Sequence, residues 1–117
     1  MKNLPFALAL LCLATQSEAL VLLPPVAMNA KVIGGVLQVQ TADCYPSTHI
    51  VDTKVFNPSD RFYEGQVQLM AVTAERQEQV TRNFKLAPGR AERIAFDFGK
   101  NICKTATELR FQSQPAQ

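Results

Sequence analysis

The chain has 117 residues, 47% of them hydrophobic and 19% charged, with a formal net charge of +2, three cysteines, one histidine and no tryptophan. This length holds one small domain and excludes a multidomain enzyme. Lysine and arginine are scattered rather than clustered, which removes the polyelectrolyte drive toward nucleic acid or an anionic lipid surface.

Met1-Lys2-Asn3 is a short positive start. Leu4 to Ala14 is an apolar run broken only by Pro5, and Thr15-Gln16-Ser17-Glu18-Ala19 is polar and ends in small residues. That layout is a secretory signal with Ser17 and Ala19 at the small positions before the cut, so residues 1–19 are read as a cleaved signal peptide. Glu18 and Gln16 interrupt what would otherwise be an anchor. A carboxylate within a span is costly, so no stable membrane insertion is expected after cleavage. The proline of Asn57-Pro58-Ser59 removes the single glycan-acceptor candidate. Together these features predict a periplasmic or secreted protein.

The exported chain would begin Leu20-Val21-Leu22-Leu23-Pro24-Pro25-Val26. So apolar a start must be buried, either as an edge strand of its own sheet or by β-strand addition to another chain. Leu20, Val21, Leu22 and Leu23 are therefore candidate partner contacts, and a seventh strand is expected in Leu20–Leu23 or Val26–Ile33. Gly34-Gly35 precedes a strand rather than a helix and reads as a turn.

Beyond it, alternation of apolar and polar residues marks six strands. Leu37, Val39 and Thr41 share one face of the first, and Val51, Thr53 and Val55 one face of the second, which stops at the turn Asn57-Pro58-Ser59-Asp60. The third runs from Tyr63 to Thr73, with Val67, Leu69 and Ala71 opposite Gln66 and Gln68. Phe62 and Tyr63 point to opposite faces, one to the core and one to a possible partner. Ala71 to Gln79 holds good helix formers, but the clean alternation on both sides favours a hairpin. Val80, Phe84 and Leu86 mark the fourth strand, Ile94, Phe96 and Phe98 the fifth, and Thr107, Leu109 and Phe111 the last. Count and spacing predict an all-β fold: a small antiparallel β-sandwich of about seven strands over residues 20–112, with a flexible polar tail at 113–117.

Cys12 falls in the signal, leaving Cys44 and Cys103 as an even pair bound for an oxidising compartment, so one disulfide is expected. Two free thiols lack a Cys-x-x-Cys partner pattern, and His49 is the single imidazole; no metal and no cofactor is expected. His49 lies in Tyr45-Pro46-Ser47-Thr48-His49, where sequence neighbours cannot supply nucleophile, base and oxyanion hole together. The carboxylates are spread singly, without the facing pair a glycosidase needs.

Val55-Phe56-Asn57-Pro58-Ser59-Asp60, then Val67-Gln68-Leu69, then Phe84-Lys85-Leu86-Ala87-Pro88-Gly89 leading into Ile94-Ala95-Phe96, resembles the middle of bacterial immunoglobulin-like domains, including the amino-terminal domain of periplasmic pilus chaperones. The resemblance covers about 40 residues and rests on turn chemistry. It implies an immunoglobulin-like sandwich. The chaperones' subunit-anchoring basic pair is absent, and Phe56 and Asn101 stand where the core tryptophan and the tyrosine corner would be. The expected function is a noncatalytic protein-interaction module, an accessory or chaperone-like part of a bacterial envelope or secreted assembly. The alternative is a small secreted enzyme inhibitor acting through Tyr45–His49 or Ala74–Gln79.

Overall fold

A computed structural model describes residues 23–116. It contains eight strands: β1 (Val26–Met28), β2 (Ala30–Gly34), β3 (Gln38–Tyr45), β4 (Ile50–Phe56), β5 (Tyr63–Thr73), β6 (Gln77–Leu86), β7 (Ala91–Asp97) and β8 (Ala106–Pro115). They form two four-stranded sheets, ordered β1-β3-β4-β7 and β2-β8-β5-β6. Alternation decides which side each residue takes. Val51 and Val55 of β4, Val67, Leu69 and Ala71 of β5, Phe96 of β7, and Leu109 and Phe111 of β8 are fully buried in one core between the sheets. Thr53 shares that core because its hydroxyl donates to the Ile94 carbonyl at 3.0 Å.

Four expectations change. There are eight strands rather than about seven, because residues 26–34 make two. The chain leaves one sheet at Asn29 and enters the other, so β1 pairs antiparallel with β3 and β2 pairs parallel with β8. A segment running one way along the flank of a sandwich meets β3 head-on and runs with β8, so the second sheet is mixed rather than purely antiparallel.

Thr41 does not share the inward face of Leu37 and Val39, nor does Thr107 share that of Leu109 and Phe111, since the pairing skips it between Val72–Glu108 and Thr73–Ala106 and leaves it exposed. Val39 sits opposite Val55 while Thr41 sits opposite Lys54, which makes Gln40 the extra residue of a bulge. The bulge resets the phase, leaving Thr41 exposed and turning Ala42 and Cys44 into the core.

Residues 113–115, expected as tail, belong to β8. Ser113 is buried and its hydroxyl accepts from the Leu37 N–H at 3.3 Å, Gln114 pairs with Gln66, and the Ala116 N–H donates to the Glu64 carbonyl at 2.9 Å. The long β5 supplies main-chain partners there, and the polar side chains of the segment need only turn outward. Finally, β6 begins at Gln77, three residues ahead of Val80. The β5–β6 turn is the expected hairpin, closed by the Thr73 hydroxyl, which accepts from the Arg76 N–H at 3.1 Å.

Cys44 on β3 and Cys103, in the turn leading into β8, form the expected disulfide, with Cα atoms 5.6 Å apart. At the opposite end, Asn57 is fully buried and organises two turns. Its side-chain amide donates to the Arg61 and Leu86 carbonyls at 2.8 and 3.0 Å, and its Oδ1 accepts from the Ser59 N–H and hydroxyl at 3.0 and 2.7 Å. Its own N–H donates to the Arg90 carbonyl, and its carbonyl accepts from the Gly89 N–H.

The Gly34-Gly35 turn is a tight approach as well as a link. Gly35 has φ +90°, and a Cβ there would lie 2.0 Å from Ser113 Oγ and 2.3 Å from the Ser113 carbonyl. Gly89 has φ +69° with open space around its Cβ position. Gly35→Ala should therefore lose about 3 kcal/mol, backbone strain plus a clash against β8, and Gly89→Ala about 1 kcal/mol from strain alone. Urea midpoints of the two variants, compared at a common slope, check that ordering.

Candidate partner-binding flank

β1 and β2 are the outermost strands of their sheets on one flank. β1 covers only Ala42–Cys44 of β3, so the Gln38–Gln40 part of β3 has no strand beside it on that side among the described residues. β2 pairs with β8 alone, leaving its other main-chain edge open.

The same flank carries apolar surface. Of six large hydrophobic residues exposed among those described, five fall between Leu23 and Val36: Leu23 at 61%, Val26 at 43%, Ile33 at 45%, and Val32 and Val36 close behind. The sixth is Phe62 at 57%, which shares a cleft of about 480 Å³ with Val36 and Pro115, so the patch continues around the end of the sheet. Lys31 is the single charge between residues 23 and 36. It faces Glu108, whose carboxyl is lowered first by its hydrogen bond from Arg110 and further by Lys31.

The residues singled out from sequence separate into three groups. Leu20, Val21 and Leu22 lie outside the described residues. Leu23 is exposed and its N–H donates to Ser47 Oγ at 3.4 Å, which draws the segment toward the Pro46–His49 turn. Phe62 is the exposed aromatic of its pair, and Tyr63 is the core one. Tyr63 is buried, its hydroxyl donates to the Gln66 carbonyl at 2.6 Å, and desolvation raises its phenol; it offers no surface to a partner. Val32, Ile33 and Val36 are the exposed apolar residues of the flank that sequence reading did not single out. Their signal is an uncharged stretch around a double glycine, read there only as a turn.

His49 is exposed at φ +65°; its N–H donates to the Tyr45 carbonyl at 3.0 Å, closing the turn, and its carbonyl accepts from the Phe98 N–H at 3.0 Å, continuing the β4–β7 pairing. Of the Ala74–Gln79 candidate loop, Gln77–Gln79 belong to β6; there Glu78 is held by Arg76 at 2.9 Å and Lys100 at 3.1 Å, and its carboxyl is lowered chiefly by the Lys100 hydrogen bond. Among the described residues no three His, Cys, Asp or Glu side chains gather closely enough to hold a metal ion, and no helix is long and apolar enough to cross a membrane. No protein-family model and no curated protein matches the chain in sequence.

Proposed function

We propose that the protein is a noncatalytic interaction module, exported to the periplasm or beyond, that binds another envelope or secreted protein along its β1–β2 flank as an accessory or chaperone-like component. The observation that carries this reading is the coincidence of open main-chain edge and exposed apolar side chains between Leu23 and Val36. Strand addition needs both, since main-chain hydrogen bonds supply affinity and alternate side chains supply selectivity. The Cys44–Cys103 disulfide fits an oxidising compartment. The immunoglobulin-like reading of the fold is supported by the two four-stranded layers and by the Asn57 turn. The β3–β4 hairpin within one sheet is a departure, because immunoglobulin domains place their consecutive B and C strands in opposite sheets.

Ile33→Asp/Val36→Asp places two charges on the flank without touching the buried core. Crosslinked capture from the native envelope fraction, quantified by mass spectrometry, should recover one stoichiometric partner with the unaltered chain and about tenfold less with the double variant, the loss of roughly two apolar contacts. Both forms should share one thermal midpoint. A partner retained by this variant and lost on altering Tyr45–His49 would replace the flank reading with loop-mediated inhibition. Absence of any partner would remove both.

A further inference from the structure

The outer face of the second sheet holds a block of neutral amides that only the strand register reveals. The alternation that buries Val67, Leu69, Leu109 and Phe111 turns Gln66, Gln68, Gln112 and Gln114 outward. The register then aligns Asn83, Gln66 and Gln114 across β6, β5 and β8, with Thr81, Gln68 and Gln112 as the adjoining row. Neighbouring strands lie about 4.8 Å apart, so these side chains stand in two short parallel ladders.

The block contains no charge, while charges resume immediately on both sides. Glu64 and Lys85, 3.8 Å apart, lie beyond the first row, and Arg110 and Lys31 lie beyond the second. A sheet face kept soluble in the ordinary way mixes charges of both signs throughout. Asn83, Gln66 and Gln114 also line a groove of about 550 Å³, within the usual range of ligand sites, with the Glu64–Lys85 pair and Pro115 at its border, while the Phe84 side chain turns inward onto the core.

A carboxamide presents two N–H donors and a carbonyl acceptor in one plane. Its complement is an uncharged ligand that donates and accepts from adjacent atoms, which describes the neighbouring hydroxyls of a sugar ring. An apolar ligand would bury the amides unpaired, at a cost in affinity. An anion finds Lys85 already neutralised by Glu64. Pro115, exposed at the border of the groove, supplies apolar surface for the C–H face of a ring. From this charge and hydrogen-bond complementarity we infer that the Asn83–Gln66–Gln114 groove binds a neutral glycan. The amide rows lie on the face of the sheet rather than on the β1–β2 flank, so the groove is a second site, which meets the flank's cleft at Pro115.

The test is NMR titration of the full exported chain with cello-, chito- and manno-tetraose, following the side-chain amide signals of Gln66, Gln114 and Asn83. The expected result is saturable shifts of those three signals with at least one tetrasaccharide, preserved in about 0.5 M NaCl, where the Debye length is only a few ångströms. Gln66→Ala/Gln114→Ala should weaken binding about tenfold or more, two hydrogen-bonding groups lost, with no change in thermal midpoint. Asn83→Ala serves as the second variant, with the same direction expected. The proposal is overturned by an absence of saturable shifts with all three sugars, by binding that salt abolishes, or by binding that survives the double variant.

Discussion

Replacing Cys44 and Cys103 together with alanine is expected to lower the stability of the domain by about 4 kcal/mol. The two residues are 59 positions apart, and closing a loop of that length removes about this much conformational freedom from the unfolded chain. The bond also joins different layers, since β3 belongs to one sheet and the Cys103 turn feeds β8 of the other. A domain of this size has a total stability of roughly 5–15 kcal/mol, so the loss removes a large share of it. Denaturant unfolding checks the prediction in two ways. The variant's midpoint should fall well below that of the oxidised chain, and the unaltered chain under a strong reductant should fall to the same place. A reduced midpoint close to the oxidised one would mean that the two sheets hold register without the bond, and that the loop-closure argument overstates its role.

Strand positions and the disulfide were legible in the sequence, because period-two alternation and an even cysteine pair are local signals. What the sequence hid was decided by neighbours in space. The bulge at Gln40 is one residue inserted against β4, invisible until Val39 and Thr41 are matched to Val55 and Lys54. The sheet switch at Asn29 depends on β3 and β8 standing on either side of one segment. Gln114 and Pro115 look too polar to pack, yet β5 extends far enough to pair with them. The candidate site divides the same way. Leu23 and Phe62 could be found as apolar residues without an inward partner. Val32 and Ile33 became candidates only when β2 proved to be an edge, and the amide rows only when β5 was found between β6 and β8.

Asn57 shows how much a single polar residue can carry in such a fold. Asn57→Ala should lose about 4 kcal/mol, because the Leu86 carbonyl is left buried without its donor, the Ser59 hydrogen bonds go, and a cavity replaces the amide. Asn57→Asp keeps the shape and reverses the chemistry. The two carbonyls that now receive N–H bonds, at 2.8 and 3.0 Å, would face a carboxylate oxygen that cannot donate. Burial and those carbonyl dipoles favour the protonated acid, so the folded pKa of this Asp must rise above its unfolded value of about 4. The folded state then holds more protons than the unfolded one, and stability falls as pH rises from that value toward the folded pKa. The aspartate variant should accordingly be less stable than the alanine variant at neutral pH and recover as the pH is lowered toward about 4. Urea midpoints of both variants across that range decide the matter. A flat difference between them would show that the turn opens to let the carboxylate reach water, and that the Asn57 side chain is less firmly enclosed than its hydrogen bonds imply.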